Sequence, residues 1–451
     1  MNISSTIAAI STPPGAGAVS IIRLSGPAVL AVLGRVFCPA GRAETWLPRL
    51  MRYGRVIDPD SGGLLDEALA VWFPGPHSFT GEDCAEIQGH GGPAVTAAVL
   101  AAALRAGAVL AQPGEFTRRA YENGRLDISQ AEAVADLIGA RSAAESALAA
   151  RHLAGGLSQK VAPIQQAVET ALVELTADID FSDDLEPLDL IRLKNKIQHG
   201  ALEPLAKLQA DGLAGRPFRD GVFLALAGVP NVGKSSLFNA LADGERALVS
   251  PVAGTTRDYV TTTAVVEGLH LELCDTAGLS LNPADELDSL GQERSRGQMA
   301  RADLVLWVRD AAQPVTEDNA LAGADLPFGK TIAVWNKADL LAGQPFNQPG
   351  VLVSARTGQG LDELKRAIVQ MAVGQQNPAP PEIVPSLRHQ AALAETEKCL
   401  RAVVAAIDEG QLPDVCAFEL KAALDALGQI CGRSVPDDIL NKIFSRFCLG
   451  K

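Results

Sequence analysis

The feature that most constrains this chain is the octapeptide G-V-P-N-V-G-K-S at residues 228–235. It follows an apolar run at 222–227 and precedes a helical pattern at 235–241. A G-x-x-x-x-G-K-S segment between a strand and a helix is typical of a phosphate-binding loop, whose backbone N–H groups surround the β-phosphate. There, Lys234 can reach the β- and γ-phosphates, and the Ser235 hydroxyl can bind Mg²⁺. Alone, the match is only suggestive, because a chain with 42 glycines can produce it by chance.

Two motifs downstream complete the phosphate side of such a site. G-T-T-R-D at 254–258 carries Thr256, which can give Mg²⁺ a second hydroxyl and sense the γ-phosphate. D-T-A-G at 275–278 ends the next apolar run. We expect Asp275 to hold Mg²⁺ through a water molecule and the backbone N–H of Gly278 to contact the γ-phosphate.

Two further motifs would read the base. N-K-A-D at 336–339 follows an apolar run, and the Asp339 carboxylate can accept hydrogen bonds from the ring N–H and the exocyclic amine of guanine. Adenine offers neither donor in that geometry. S-A-R at 354–356 follows the next apolar run and would support the base with a backbone N–H. Motifs in this order at predicted strand ends indicate a guanine-nucleotide site.

The group that orients the attacking water is not in its usual place. Ras-like GTPases use a glutamine directly after D-x-x-G, and that position holds the apolar Leu279. Three acids of the following segment are candidates instead, namely Asp285, Glu286 and Asp288. An acid at such a place is more often an exposed loop charge. Arg257 could act as an arginine finger, although an arginine at such a place is more often solvated or structural.

Residue composition and hydrophobic pattern divide the remaining chain into segments. Residues 1–120 mix β-type runs with glycine-rich turns and one helical pattern at 94–106, which predicts a small α+β domain. Residues 121–219 and 381–451 read as helical. Between them, at 220–373, apolar strands alternate with helical stretches, the pattern of a parallel sheet with covering helices. We expect the two helical segments to form one all-α domain with the α/β unit inserted; two separate helical modules are the alternative.

Local signals mark the edges of the helical segments. The alanine-rich run at 129–150 has helical spacing. Ser129 is its predicted N-cap, and Glu132, three residues later, would complete a capping box. A linker rich in Pro, Gly and Gln at 373–381 separates the α/β unit from the last helices.

Composition limits the class of protein. A net charge of -14 makes the chain a poor non-specific binder of nucleic acids. The 7 cysteines include no C-x-x-C pair, which indicates reduced thiols, and the 6 dispersed histidines argue against a zinc site. No apolar run reaches the roughly 18 residues of a membrane helix, and the first residues lack the pattern of a secretory signal. We therefore expect a cytoplasmic protein with no membrane partner.

Longer segments carry a family resemblance. Those at 6–26, 81–92 and 113–138, together with F-C-L-G-K at 447–451, are similar to the tRNA modification GTPase family MnmE, also called TrmE. The nucleotide motifs alone resemble those of bacterial translation-factor-like GTPases in general. The resemblance runs from near the first residue to the last, with its signatures in the order of the family.

The resemblance implies a fold and an activity. It implies an N-terminal folate-binding domain through which the chain forms a homodimer, a split helical domain and an inserted Ras-like G domain. The implied reaction adds a carboxymethylaminomethyl-type group to carbon 5 of the wobble uridine of certain tRNAs, together with an FAD-containing partner, MnmG. A 5-formyltetrahydrofolate or methylenetetrahydrofolate would supply the carbon unit. GTP hydrolysis, assisted by K⁺, would drive the conformational cycle.

The same resemblance implies the site residues. Folate would be bound from both ends of the chain, by Arg23, Glu86, Arg125 and Lys451. K⁺ would be bound beside the phosphate loop, by oxygens of Asn231, Ser250, Val252 and Thr255, where a fixed cation can replace an arginine finger. The full set of predicted nucleotide-binding residues is Asn231, Val232, Gly233, Lys234, Ser235, Ser236, Ser250, Pro251, Val252, Ala253, Gly254, Thr255, Thr256, Asp275, Thr276, Ala277, Gly278, Asn336, Lys337, Asp339, Ser354, Ala355 and Arg356.

The water-orienting acid of the family corresponds to Asp288, three residues before the glycine of G-Q-E-R at 291–294. Family members usually have glutamate there, one methylene longer. The loop of this chain is one residue longer by the same comparison, which leaves Glu286 as the competing candidate.

Two other functions remain open at this point. One is a ribosome-assembly GTPase that binds RNA as a switch and transfers no group; such proteins usually carry a basic module, and this acidic chain displays none. The other is a dimeric G-domain scaffold whose N-terminal domain binds folate only structurally. Modified wobble nucleosides in cells that lack the gene would distinguish the three.

Overall fold

The structure, a computed structural model, describes residues 5–41, 45–181, 188–242, 261–275, 299–313, 328–341, 344–374, 380–432, 436–445, 447–448 and 450–451. The chain forms two compact units, each made of separate chain segments. The first unit comprises Met1–Ile138, His152–Ile191 and Lys398–Lys451, and the second comprises Gly139–Arg151 and Arg192–Glu397. The domain boundaries drawn from the sequence stay a prediction.

The first unit contains a seven-stranded mixed sheet. Its strands are β1 (Ile7–Ile10), β2 (Val19–Ser25), β3 (Phe37–Pro39), β4 (Arg52–Ile57), β5 (Leu64–Phe73), β6 (Cys84–His90) and β7 (Val109–Leu110). They lie in the order β3-β4-β5-β6-β2-β1-β7, and neighbours are antiparallel except β1 and β7. Buried and more exposed residues alternate along β2 and β5, as in an antiparallel sheet with one buried face.

Helices cover this sheet unequally. They are α1 (Val29–Val36), α2 (Pro93–Arg105) and α3 (Glu115–Glu122). One apolar core of the unit joins α1 and α2 to the sheet residues Ile22, Leu24 and Ile87. On the opposite face, Phe116 of α3 packs against Ile7 of β1. The α+β domain that the N-terminal sequence predicts is therefore present, with its helix at 94–106 found as α2.

The alanine-rich run forms two helices and starts differently from the prediction. They are α4 (Ile128–Gly139) and α5 (Ala143–Leu153), and α6 (Gly156–Asp180) follows. The carboxylate of Asp127 accepts a hydrogen bond from the backbone N–H of Gln130 at 2.9 Å, and the Gln130 side chain accepts one from the N–H of Asp127 at 3.0 Å. The prediction of Ser129 as N-cap with Glu132 is therefore wrong. The capping box is D-x-x-Q, two residues earlier, because the longer-reaching pair satisfies both backbone donors.

The second unit contains a six-stranded sheet. Its strands are β8 (Val222–Ala227), β9 (Thr261–Val266), β10 (Leu269–Asp275), β11 (Leu304–Asp310), β12 (Thr331–Asn336) and β13 (Val351–Leu352), in the order β13-β12-β11-β8-β10-β9. All neighbours are parallel except β9 and β10. The sequence predicted only parallel strands. The antiparallel edge arises because Glu267 and Gly268, both with positive φ, form a tight turn between β9 and β10.

Helices surround this second sheet. They are α7 (Leu190–Ile197), which continues through a π-helical turn (Gln198–Leu202) into α8 (Glu203–Asp220), then α9 (Lys234–Ala242) and α10 (Leu361–Val373). The central strand β8 is almost wholly buried, with Leu224 and Leu226 inside the core. Such a continuous apolar strand is typical of a parallel sheet covered on both faces. The α/β unit predicted around the phosphate loop is confirmed.

The last part of the chain is helical. Its helices are α11 (Leu387–Asp408), α12 (Pro413–Cys431) and α13 (Asp437–Phe444). Within the first unit α12 packs along α6, and α13 packs against α3. Within the second unit Gly215 of α8 gives room to Val384, whose Cγ2 would lie 2.1 Å from an added Cβ. In each unit, helices that precede the six-stranded sheet in the chain thus pack on segments that follow it, as a split helical domain requires. Among the helices described, none is both long and apolar enough to cross a bilayer.

Candidate functional site

The phosphate loop joins the carboxyl end of β8 to the start of α9. Gly228 and Gly233 have φ angles of 149° and 93°, in the left-handed region that favours glycine. The Nζ of Lys234 donates hydrogen bonds to the carbonyl oxygens of Gly228 at 2.9 Å and Val229 at 3.1 Å. The loop therefore holds a buried ammonium against its own backbone, beside the place where phosphates would lie.

Polar side chains at the end of this loop are exposed, those of Asn231, Ser235 and Ser236. Asn231 has a φ of 67°, which is uncommon for a residue other than glycine and tolerated best by asparagine and aspartate. Hydroxyl and amide oxygens that face solvent at the first turn of a helix are accessible to a cation. Ser235 and Asn231, the predicted Mg²⁺ and K⁺ ligands, are among these exposed residues, and their metal binding stays a prediction.

Asn336 ties the phosphate loop to the base-reading loops. Its side chain is buried, its Nδ2 donates to the carbonyl oxygen of Val232 at 2.9 Å, and its Oδ1 accepts from the backbone N–H of Ala355 at 3.0 Å. A Cβ on Gly233 would lie 2.3 Å from the Asn336 Nδ2, so the close approach requires glycine. Three motifs that are far apart in sequence are thereby joined at the carboxyl edge of one sheet, where parallel α/β sheets bind ligands.

Asp339, the predicted guanine acceptor, is held as a carboxylate. Its Oδ1 accepts from the Oγ of Ser354 at 2.6 Å, and its Oδ2 accepts from the Nη2 of Arg356 at 2.5 Å. The hydrogen bond from Ser354, together with the charge of Arg356, lowers the pKa of Asp339 below its ordinary value. An ionised carboxylate is the state that can accept two hydrogen bonds from guanine.

Sequence reasoning missed one residue of this site, Asp310 at the end of β11. Its buried carboxylate accepts from the Nζ of Lys337 at 2.7 Å and from the backbone N–H of Ala312 at 3.0 Å. Lys337 itself has a φ of 67°, so its backbone is held in a sparsely populated conformation. The available signal was an acidic residue at the carboxyl end of an apolar run in a parallel sheet.

The other nucleotide-site predictions lie outside the described residues. They are Ser250, Pro251, Val252, Ala253, Gly254, Thr255, Thr256, Thr276, Ala277 and Gly278, together with Arg257 and all three candidate acids, Asp285, Glu286 and Asp288. Asp275 closes β10, and only its backbone is described. The structure thus places the phosphate loop and the base-reading loops, and leaves most of the predicted Mg²⁺ and K⁺ ligands as predictions.

The first unit brings together the predicted folate residues of its sheet. Arg23 of β2 lies opposite Glu86 of β6, and its Nε and Nη2 donate to the Glu86 Oε1 at 3.1 Å and 2.9 Å. The Glu86 Oε2 accepts from the Nε2 of Gln88 at 3.3 Å. Each oxygen of this carboxylate thus accepts at least one hydrogen bond on the sheet surface, and Arg23 is its counter-ion.

The end of the chain returns to the same place. The carbonyl oxygen of Gly450 accepts from the Oγ of Ser11 at 3.2 Å, directly after β1. Burial lowers the pKa of Lys451, the nearby charge of Arg23 lowers it further, and Glu86 acts in the opposite direction. Lys451 therefore lies within electrostatic range of both partners of the Arg23–Glu86 pair.

Arg125 is placed beside this group rather than on Glu86. Its Nε donates to the carbonyl oxygen of Ser78 at 3.2 Å. In the same segment, Phe79 places its ring centroid 5.5 Å from the guanidinium carbon of Arg23, and Phe116 approaches it from α3 at 5.9 Å. Sequence reasoning missed both aromatic rings, since neither belongs to a motif whose chemistry it could name.

Metal and thiol chemistry is limited in the described residues. Among them, no three His, Cys, Asp or Glu side chains are grouped to bind a metal ion. Among the cysteines, Cys38 and Cys448 are exposed.

Comparisons with known proteins find relatives that match along the whole chain. The family profile described as the GTP-binding protein TrmE N-terminus matches residues 6–125, and the profile of the MnmE helical domain matches residues 128–448. The tRNA modification GTPase MnmE of Roseiflexus sp. (strain RS-1) is 43% identical over 464 residues, covering 99% of each chain. That of Moorella thermoacetica is 41% identical and covers 100% of each.

Some solved structures are similar to part of this chain. The G domain of the T. maritima FeoB iron transporter has 32% sequence identity and a TM-score of 0.27, and the match covers 34% of this chain and 98% of that one. So low a TM-score adds nothing to the sequence comparisons, which span the whole chain.

Proposed function

Since this chain belongs to the MnmE (TrmE) family of tRNA modification GTPases, we propose that it adds a carboxymethylaminomethyl-type group to carbon 5 of the wobble uridine of certain tRNAs. Membership itself establishes the coarser function: the chain is a GTP hydrolase that binds GTP and Mg²⁺ and acts in tRNA modification. The proposal adds the group transferred, its carbon donor, the stimulating ion and the protein partners.

The observation that carries the proposal is the meeting of both chain ends beside the Arg23–Glu86 pair. A folate has a flat pterin with amide-like donors and a glutamate tail with carboxylates. The exposed ring of Phe79 offers apolar surface for the flat part. The Glu86 Oε2, which accepts only from Gln88 in the described residues, is the acceptor best placed for pterin donors. Lys451 is a cation suited to the tail.

Arg125 would extend this site along the segment at 78–81, where its guanidinium is anchored. Because Arg23 is already neutralised by Glu86, Arg125 and Lys451 are the better candidates for binding the tail carboxylates. We infer that 5-formyltetrahydrofolate or methylenetetrahydrofolate is the donor of the carbon unit. When bound it supplies that unit at the formyl or methylene oxidation level.

For GTP hydrolysis, the residues of this chain would bind the phosphates and the metal ions, orient the attacking water and neutralise negative charge. Lys234 would move from the loop carbonyls to the β- and γ-phosphates, and Ser235 and Thr256 would bind Mg²⁺, with Asp275 acting through water. The exposed amide of Asn231 fits a monovalent cation, and we propose that it holds K⁺ together with Ser250, Val252 and Thr255. Such a cation supplies fixed positive charge near the γ-phosphate. Asp288, or Glu286 in its place, would orient the water.

The partners follow from the same proposal. The uncovered part of the N-terminal sheet exposes the apolar side chains of Val19, Tyr53 and Leu69, which supports a homodimer formed through that domain. We further propose that the chain acts with the FAD-containing MnmG and a tRNA substrate in the cytoplasm.

The proposal is tested by complementation. In cells lacking the gene, wobble nucleosides are measured by mass spectrometry after expression of wild type, Glu86→Gln or the control Glu67→Gln, whose carboxylate lies on neighbouring β5 and bonds Tyr53. We expect wild type and Glu67→Gln to restore the modified nucleoside, and Glu86→Gln to fail while its GTP hydrolysis persists. Full restoration by Glu86→Gln would contradict the folate site. Unchanged nucleosides in the deletion strain would contradict the reaction itself and favour a ribosome-assembly GTPase.

A further inference from the structure

A contact inside the second unit joins the start of α5 to the hairpin of β9 and β10. That hairpin lies in the chain between two predicted nucleotide motifs, 254–258 before it and 275–278 after it. Ala144 packs against the apolar core of the sheet, and its Cβ would lie 3.8 Å from a Cβ placed on Gly268. The start of α5 therefore contacts the one segment that is covalently continuous with both motifs.

His270 of β10 is the polar centre of this contact. It is 3% exposed, and its Nε2 has no hydrogen-bond partner in the described parts of the chain. Its Nδ1 lies 3.8 Å from the Oε1 of Glu145, too far for a hydrogen bond. A Cβ on Gly221 would lie 2.7 Å from the same Nδ1, so a glycine makes room for the ring. A buried, unsatisfied imidazole is costly and calls for a physical reason.

Glu145 is also the residue that caps α5. Its backbone N–H donates to the Oγ of Ser142 at 3.1 Å, and its Oε2 accepts from the backbone N–H of Arg141 at 2.6 Å. This is the S-x-x-E arrangement that starts a helix. Its side chain is 11% exposed. One carboxylate thus holds the first turn of α5 with one oxygen and faces His270 with the other.

The electrostatic setting keeps the histidine neutral. Burial, and then the charge of Arg141, lowers the pKa of His270 to about 4. Burial raises the pKa of Glu145, and Asp220 at the end of α8 adds to that rise. A neutral imidazole beside a carboxylate can form or lose one hydrogen bond without a change of charge, which suits a contact that alternates between two states.

We propose that His270 and Glu145 are positioning residues that transmit the nucleotide state to helix α5. A shift of β10 by about 1 Å would bring the Nδ1 of His270 within hydrogen-bond distance of Glu145 and pull on the carboxylate that caps the helix. From His152 onward the last residues of α5 belong to the first unit, which contains the candidate folate residues. The chain of α5 thus runs from residues of the second unit into residues of the first.

Hydrogen exchange of the full chain tests this inference. The α5 amides are measured with Mg²⁺ and K⁺ in the presence of GDP, or GDP with aluminium fluoride as a transition-state mimic. In wild type their exchange should differ between these states by about five-fold or more, the lower end of ordinary allosteric coupling. His270→Leu should remove the difference and leave GTP hydrolysis in place. Glu145→Met removes the same contact from the helix side, should the first variant not fold.

Controls separate coupling from simple destabilisation. Ser142→Ala weakens the cap but keeps the pair, so it should speed α5 exchange in both states and retain the difference. His199→Leu breaks an exposed pair of the same type, in which the His199 Nδ1 lies 2.8 Å from the Oε1 of Glu203, and should change nothing. Identical exchange in both nucleotide states of wild type would overturn the inference. So would a nucleotide-dependent difference that survives both His270→Leu and Glu145→Met.

Discussion

The nucleotide site and the candidate folate site are built in opposite ways. In the second unit, loops at successive strand ends meet because parallel strands deliver their carboxyl ends to one edge, and Asn336 links them through Val232 and Ala355. In the first unit, Arg23 and Glu86 face each other across two antiparallel strands, and Lys451 arrives from the other end of the chain. One site is thus assembled by sheet topology, and the other needs the tail of the chain to be docked.

The difference predicts different sensitivities. A site made by strand topology is stable as long as its sheet is, so single substitutions there should act on affinity. A site closed by the last residues depends on a few contacts, such as the hydrogen bond from Ser11 to Gly450, and should be lost as a whole when they are removed.

Deletion of residues 449–451 should have the largest effect. It removes Lys451 and the contact of Gly450 with β1, so we expect tRNA modification and 5-formyltetrahydrofolate binding to be abolished. GTP hydrolysis should be largely retained, because the nucleotide residues described all lie between 228 and 356. Nucleoside analysis and folate titration measure the effect. The alternative is that the last residues are frayed, as chain ends ordinarily are. Normal tRNA modification by the truncated chain would support that alternative and contradict the prediction.

The two units should also respond oppositely to acid. His270 has a pKa of about 4 in the folded state against an ordinary value of 6.5. Between these two pH values, His270 is therefore mostly protonated in the unfolded state and mostly neutral in the folded state. Stability of the second unit should therefore fall from about pH 6.5 to pH 4, by at most about 3 kcal/mol. In the first unit, Asp66 raises the pKa of the exposed His90 through a hydrogen bond, and this contribution is present at low pH and lost as pH rises.

The stability of the second unit is measured by urea unfolding at several pH values, followed by hydrogen exchange of the β8 and β11 amides. His270→Leu should flatten its pH dependence between pH 6.5 and 4, whereas the exposed His90 replaced by Gln should leave that unit unaffected. An equal pH slope in wild type and His270→Leu would mean that carboxylates elsewhere control the acid response.

Asp339→Asn should reduce GDP affinity by about 10- to 100-fold, the scale of charge-assisted hydrogen bonds at about 1.5–3 kcal/mol. The amide places an N–H₂ where guanine also has donors, so one hydrogen bond is lost and a donor is left facing a donor. Isothermal titration with GDP and with xanthosine diphosphate measures the change, since xanthine offers an acceptor at that position and should bind the variant better. Unaltered GDP affinity would remove residues 336–339 from the base-reading role.

The sequence predicted the residues of the nucleotide site better than those of the candidate folate site. Each nucleotide motif carries its chemistry in a few adjacent residues after an apolar run, so the roles of Lys234, Asn336 and Asp339 could be predicted locally. The predicted folate residues Arg23 and Glu86 are separated by 63 positions, and only the resemblance to a family connected them with the tail. Their flanking rings, Phe79 and Phe116, depend on tertiary packing that no local pattern encodes.

The predicted start of α4 was wrong because two local N-cap signals lie close together in the sequence. Asp127 and Ser129 are both good N-caps, and the sequence alone could not decide between D-x-x-Q and S-x-x-E. The antiparallel edge strand β9 was missed because its turn has no Asn-Gly or Asp-Gly signature, only Glu267 and Gly268. The role of His270 was also invisible, because a buried histidine in a strand reads as an ordinary core position.

Asp310→Asn should have the smallest effect, and it sharpens the comparison because Asp310 is the one described nucleotide-site residue outside the motifs. The variant weakens the contact with Lys337, whose ammonium lies 2.7 Å from the carboxylate and whose side chain is 31% exposed. Solvent screening limits the pair to about 1 kcal/mol, so GDP affinity should fall by about five-fold. The turnover number at saturating GTP should change little, since Asp310 positions the base-reading loop and touches no reacting atom.

A double-mutant cycle decides whether this effect passes through Lys337. Lys337→Met should lower GDP affinity, and adding Asp310→Asn should then cost nothing further, because the contact has already been removed. Asp362→Asn, an exposed carboxylate at the first turn of α10, is the matched control and should leave binding unchanged. If Asp310→Asn instead lowers thermal stability while GDP affinity is retained, Asp310 supports only the fold of the sheet edge. In that case the described part of the nucleotide site is built by its motifs alone. It would then differ from the candidate folate site in needing no residue from elsewhere in the chain.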